Sequence, residues 1–129
     1  MSASAIYNFS MYSARLLDHF QNPRNPGEIP GADATAEIEN PACGDVLRLT
    51  LKIKSGRIAE IRFKARGCVP SMACASALTE LVEGRTLAET RALQRDRLIA
   101  AVGGLPQAST HAAQLALDAL SAALSELQP

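Results

Sequence analysis

Val46-Leu47-Arg48-Leu49-Thr50-Leu51-Lys52-Ile53-Lys54, Ser55-Gly56, Arg57-Ile58-Ala59-Glu60-Ile61-Arg62-Phe63-Lys64-Ala65-Arg66 is the stretch that decides the fold. In its first half Leu47, Leu49, Leu51 and Ile53 alternate with Arg48, Thr50, Lys52 and Lys54, so one face is buried and the other is wet. Its second half alternates likewise. Ala59, Ile61, Phe63 and Ala65 are expected inward, with Glu60, Arg62 and Lys64 outward. Ser55-Gly56 is a short turn whose glycine supplies the backbone freedom of a hairpin. The reading is an antiparallel hairpin.

Working outward, the hairpin's two open ends carry Asn40-Pro41-Ala42-Cys43-Gly44-Asp45 before it and Gly67-Cys68 after it. Pairing brings these ends together, so two thiols and a carboxylate converge, which is the start of a metal site. Cys43 lies in a turn between a proline and a glycine, whereas a structural cysteine is usually buried within an element. From the residues alone, ligation and a simple turn carry about equal weight. If the strand has begun at Asp45, Cys43 and Asp45 point to the same side. Cys68 precedes a helix, and a helix N-terminus is expected to lower its pKa and favour the thiolate.

Upstream, Asp33 to Glu39 alternates weakly and reads as an edge strand. Residues 1–9 carry no pattern and are expected to be frayed. A helix capped by Ser10 is expected to run to about Gln21, with Leu16, Leu17, Phe20 and Tyr12 near one stripe, and Asn22-Pro23-Arg24-Asn25-Pro26-Gly27 stops it. His19 on its last turn reads as a surface residue favoured by the helix dipole.

Downstream, Pro70 suits the first turn of a helix over 70–83, stopped by Gly84. Thr86 and Glu89 form a capping-box pattern, 94–102 read as short helical pieces, and Gly103-Gly104-Leu105-Pro106 is a loop. From about Thr110 an alanine-rich helix runs to the end, with Leu117, Leu120, Leu124 and Leu127 three and four apart. Strands first and helices second is an α+β pattern: a small antiparallel sheet of about three strands with helices on one face. The 129 residues are read as one domain, 1–129.

His111 opens that last helix. A lone histidine there is more often an ordinary surface residue, yet Cys, Asp, Cys and His would make a four-coordinate set. Spacing alone does not establish it. Cys74 reads as a small buried residue, favoured by roughly two to one over a third thiolate reaching the site.

Composition excludes several classes. Apolar residues make up 47%, a globular value. The 13 basic and 13 acidic side chains cancel, which argues against electrostatic binding to nucleic acid or to an acidic membrane. Three cysteines is an odd count, and no basic segment leads into an apolar run at the start, so a reducing, cytoplasmic setting is expected. No apolar stretch approaches the roughly 20 residues of a membrane span. Neither a Cys-x-x-Cys redox motif nor a glycine-rich phosphate loop with its lysine is present.

From about Tyr12 to Leu120 the chain resembles the NifU/IscU family of iron–sulfur cluster scaffold proteins. The resemblance rests on Tyr12-Ser13 through Leu17-Asp18-His19-Phe20, Asn22-Pro23-Arg24-Asn25 and Gly27; on Asn40-Pro41, Cys43-Gly44-Asp45 and the Leu-x-Leu-x-Leu-Lys-Ile run; and on Phe63 through Gly67-Cys68, Ala73, Ser76, Leu78, Thr79 and Glu80. It implies a scaffold or carrier, not a turnover enzyme, that binds iron or a [2Fe–2S] cluster, takes sulfur from a cysteine desulfurase and passes the cluster to acceptor proteins. The matching positions are Cys43, Asp45, Cys68 and His111, with the carboxylate keeping the cluster labile.

Two departures stand out. The family's third cysteine follows the histidine, and here that residue is Ala112; the Leu-Pro-Pro-Val-Lys motif that some members offer to a chaperone reads Leu105-Pro106-Gln107-Ala108-Ser109. Two alternatives therefore accompany the scaffold reading. One is a zinc-bound sulfur acceptor, with Cys74 taking persulfide, although the insertion carried by zinc-bound relatives is absent. The other is a diverged regulator that binds the desulfurase without metal. Whether the chain forms a homo-oligomer is left open.

Overall fold

The computed structural model describes residues 11–127. Its elements in chain order are α1 (Ala14–Gln21), β1 (Ala34–Asn40), β2 (Asp45–Lys54), β3 (Arg57–Arg66), α2 (Val69–Val82), α3 (Leu87–Arg91), α4 (Arg95–Ala101), a 3-10 turn (Gln107–Ser109) and α5 (His111–Ser125). The strands form one antiparallel sheet in the order β1-β2-β3. The α+β architecture expected from the sequence is the one observed.

The hairpin closes through Ser55 and Gly56, both at positive φ (55° and 74°). That is the backbone a two-residue turn needs to match strand twist. One register shift alters the expected inward set. Lys52 pairs with Glu60, but Ile53 pairs with Ile58, leaving Ala59 as an extra residue on β3. The bulge turns Ile58 into the core and Ala59 out to solvent, so Ala59 is not an inward residue. Beyond it Ile61 and Phe63 are buried opposite Leu51 and Leu49.

The face bearing Leu47, Leu49, Leu51, Ile61 and Phe63 packs against α2 and α5, and these residues belong to one contiguous core. α2 is buried on most of its circumference, because α1, α4, α5 and the sheet all pack around it. Its run of Ala73, Cys74, Ala75, Ser76 and Ala77 suits that crowding, since small side chains let neighbours approach closely. The opposite face is not uniformly wet. The segment after Gly27 crosses it, Ile29 N–H donates to Thr50 Oγ1 at 3.1 Å, and Thr50 is buried. Glu28 pairs with Arg48 and Lys64, and Asp33 with Lys52. The outer edge of β3 is covered at Phe63, whose N–H donates to Asn25 O and whose carbonyl accepts from Gly27 N–H.

α1 begins at Ala14, where Ser13 Oγ accepts the Leu16 N–H. Ser10, expected as its cap, and residues 1–9 lie outside the described residues. The capping box of Thr86 and Glu89 forms as read. No helix among the described residues is long and apolar enough to cross a membrane.

Candidate metal centre

The loop between β1 and β2 is folded by Asn40. Its side-chain Oδ1 accepts the Ala42 N–H at 3.0 Å and its carbonyl accepts the Gly44 N–H at 2.7 Å. Gly44, at φ 76°, turns the chain into β2, which starts at Asp45. Val46 pairs with Arg66, so Gly67 and Cys68 leave β3 beside Asp45. Cys68 is the N-cap residue of α2.

Asp45 is the hub and is only 2% exposed. Its Oδ1 accepts the Cys68 N–H at 3.0 Å. Its Oδ2 accepts from the Ser71 hydroxyl at 2.7 Å and from the Cys68 thiol at 3.1 Å. His111, the first residue of α5, brings Nε2 to 4.0 Å from the same Oδ2. Ligand atoms of Cys43, Asp45 and His111 all lie within 4.8 Å of one another. Cys43 and His111 are exposed and Asp45 is buried. Cys68 stands outside that tight trio but is tied to it through Asp45 Oδ2. The four residues singled out in the sequence therefore share one corner of the fold.

The electrostatics are set by burial and hydrogen bonds. Burial pushes the Asp45 carboxyl up, but hydrogen bonds from Ser71, Cys68 and Cys43 and from the Cys68 N–H outweigh it, and the net pKa is below the ordinary value. Cys68 corrects an expectation. Its pKa is raised, first by burial and further by Asp45, despite the opposing hydrogen bonds from Ser71. The helix N-terminus does not win against desolvation and an adjacent carboxylate. The Cys68 thiol donates to the Asp45 carboxylate, so a cation ligated by both groups would displace that proton.

Cys74 is fully buried, and its thiol is pushed up to about 12, first by burial and then by Cys68. It is the small core residue favoured from the sequence, and a thiolate there would sit in apolar surroundings. Ala112 is 1% exposed and packs into the core. His19 is a second correction. It is 3% exposed, with Nδ1 2.8 Å from Ser76 Oγ and Nε2 3.6 Å from Glu80, and is no surface residue. It holds α1 to α2.

Two site residues were missed in the sequence. Ser71 looked like a helix residue of no special kind, and its spacing of three from Cys68 was the available signal. Gly67 was read only as the loop residue before Cys68 and as part of the family pattern, with no role toward Asp45. A Cβ at Gly67 would collide with the Asp45 carboxylate, so this glycine makes room for the hub.

The NifU-like N terminal domain, as a sequence family, matches residues 11–128. The chain belongs to that family. It is 43% identical over 114 residues to the iron-sulfur cluster assembly scaffold protein IscU 1 of Archaeoglobus fulgidus, covering 88% of this chain and 74% of that one. It is 39% identical over 119 residues to the iron-sulfur cluster assembly scaffold protein IscU of Azotobacter vinelandii, covering 89% and 92%. Among solved structures, the N-terminal part of a nitrogen-fixing NifU-like protein from Brucella abortus superimposes with a TM-score of 0.74 at 22% identity, covering 91% of this chain and 94% of that one. At that identity the likeness speaks for the NifU-like fold. The fold and family expected from the sequence are thus those of the chain.

Proposed function

We propose that this NifU-like chain, acting as one domain, is an iron–sulfur cluster assembly scaffold or carrier. The observation that carries the reading is the convergence of Cys43, Asp45 and His111 within 4.8 Å, with Cys68 bonded to the same carboxylate. The names of the family relatives point the same way.

The donor set suits such cargo. Cys43 and Cys68 offer soft thiolates for iron and sulfide, His111 an imidazole, and Asp45 a hard oxygen. Cys43 and His111 are exposed, so cargo can be reached from solvent. Asp45 is fixed by backbone and Ser71 hydrogen bonds, which orient its Oδ2 toward His111. The hard ligand beside soft ones is the natural one to exchange first when cargo leaves. We assign ligation to Cys43, Asp45, Cys68 and His111, a [2Fe–2S] cluster or iron as the cargo, a cysteine desulfurase as the sulfur source, and iron–sulfur proteins as acceptors, in the cytoplasm. The protein holds and hands on; no bond-making turnover is asked of it.

A second reading has one specific support. Two sulfurs, a nitrogen and an oxygen are also a tetrahedral zinc set. It does not extend to Cys74 as sulfur acceptor, because that thiol is buried and held protonated. The test is anaerobic reconstitution with ferrous iron, cysteine, a desulfurase and dithiothreitol as the reductant that turns persulfide sulfur into sulfide, followed by mixing with an apo-ferredoxin. The scaffold reading expects a visible chromophore that moves to the ferredoxin. A zinc-loaded protein that gains no chromophore favours the second reading.

A further inference from the structure

We propose that Ser71 is a positioning residue that makes Asp45 a one-oxygen, easily released ligand. The inference rests on the metal-centre reading above and goes beyond it, because Ser71 is not one of the four ligands.

The geometry divides the carboxylate into two halves. Oδ1 accepts the Cys68 N–H at 3.0 Å and is packed where Gly67 leaves room. It faces backbone. Oδ2 is the oxygen that faces the donors: Cys68 Sγ at 3.1 Å and His111 Nε2 at 4.0 Å. Ser71 is 5% exposed, and its hydroxyl donates to Oδ2 at 2.7 Å. A carboxylate oxygen offers about two lone pairs. One of the two on Oδ2 is thus occupied by Ser71 and the other by the Cys68 thiol proton, so a cation held by the Cys68 thiolate takes the place of that proton and finds one free position on Oδ2. A second bond through Oδ1 would have to break the Cys68 N–H contact.

The hydrogen bond also draws electron density from the oxygen that binds, so the Asp45–cation bond is weaker than that of a free carboxylate. Release breaks the Oδ2–cation bond, and Ser71 keeps its proton throughout. No redox step is involved. Ser71 sits at the third position of α2, so the helix holds the hydroxyl in place without a cost at each exchange.

The test uses cobalt(II) alone as the probe, on the full chain and on Ser71→Ala and Ser71→Thr. Thiolate-to-cobalt absorption reports binding, and its decay in excess chelator reports release. The proposal expects Ser71→Ala to release cobalt about tenfold more slowly, at the low end for losing a hydrogen bond to a charged group. Ser71→Thr, which keeps the hydroxyl, should release at the unmodified rate. Equal or faster release from Ser71→Ala, with normal binding by the unmodified chain, overturns the role of Ser71 and leaves the metal centre standing. No cobalt absorption from the unmodified chain overturns the metal centre itself and this inference with it. Should the variants fail to fold, the carboxylate stretches of the cobalt-loaded unmodified protein decide, with Asp45→Asn identifying the bands. A wide splitting, as for one-oxygen binding, is expected, and a narrow, two-oxygen splitting overturns the proposal.

Discussion

The carboxylate of Asp45 occupies the space beside Gly67 where any other residue would carry its Cβ. Gly67 also has φ 149°, a conformation that L side chains rarely adopt. Gly67→Ala should therefore act on the site first. We expect it to cost about 1–3 kcal/mol of stability from backbone strain and displacement of Asp45. Chemical denaturation measures the cost, and cobalt(II) absorption should be weakened in the variant that still folds. A fully stable Gly67→Ala with unchanged metal binding would show that Asp45 does not need that space.

The three thiols should differ sharply in reactivity. Cys43 is exposed, Cys68 is half-buried with a raised pKa, and Cys74 is buried with its thiol pushed up to about 12. Timed labelling with N-ethylmaleimide and peptide mass analysis should give Cys43 first, Cys68 later, and Cys74 only on unfolding. Cys74→Ser should leave sulfur acceptance from a desulfurase intact and cost about 1–3 kcal/mol, since a hydroxyl would be buried without an arranged partner. Rapid native labelling of Cys74 would contradict this order.

His19 should make stability depend on pH near neutrality. Its pKa is lowered by burial first and by Arg24 next, against Glu80 and Asp18. Glu80, at 3.6 Å, would raise it, but that carboxylate is 57% exposed and screened, so burial wins. The folded chain then holds fewer protons than the unfolded one below the ordinary histidine value near 6.5. Stability is complete above that pH and falls as pH drops through it, levelling off below the folded value. Thermal melting of the unmodified chain should decline as pH drops below the ordinary histidine value of about 6.5, and His19→Gln should flatten the decline. Parallel profiles would contradict the assignment. His19→Ala, which also leaves a cavity, should cost about 2–4 kcal/mol.

The alternation of Leu47, Leu49 and Leu51 was enough to read the hairpin, and the hairpin was enough to bring Cys43 and Asp45 near Cys68. The bulge at Ala59 was not legible, because Ile58 and Ala59 are both apolar and a period of two accepts either. His19 was misread because burial depends on what covers α1. Ser76 and Glu80, which receive it, come more than fifty residues later. The pKa of Cys68 was misread for the same reason: a helix N-terminus is visible in sequence, but an adjacent buried carboxylate is a tertiary fact. Ser71 carries its role through one hydrogen bond to Asp45, and its spacing of three from Cys68 hints at proximity to the site without showing that contact.

The most direct measurement is the iron and acid-labile sulfide content of anaerobically reconstituted protein, compared across the unmodified chain, Cys43→Ser, Cys68→Ser and His111→Ala. The account predicts iron and sulfide bound in equal amounts by the unmodified chain and loss of both in each cysteine variant, with weaker retention in His111→Ala. Unmodified protein that binds neither, or cysteine variants that bind as much as it does, would contradict it.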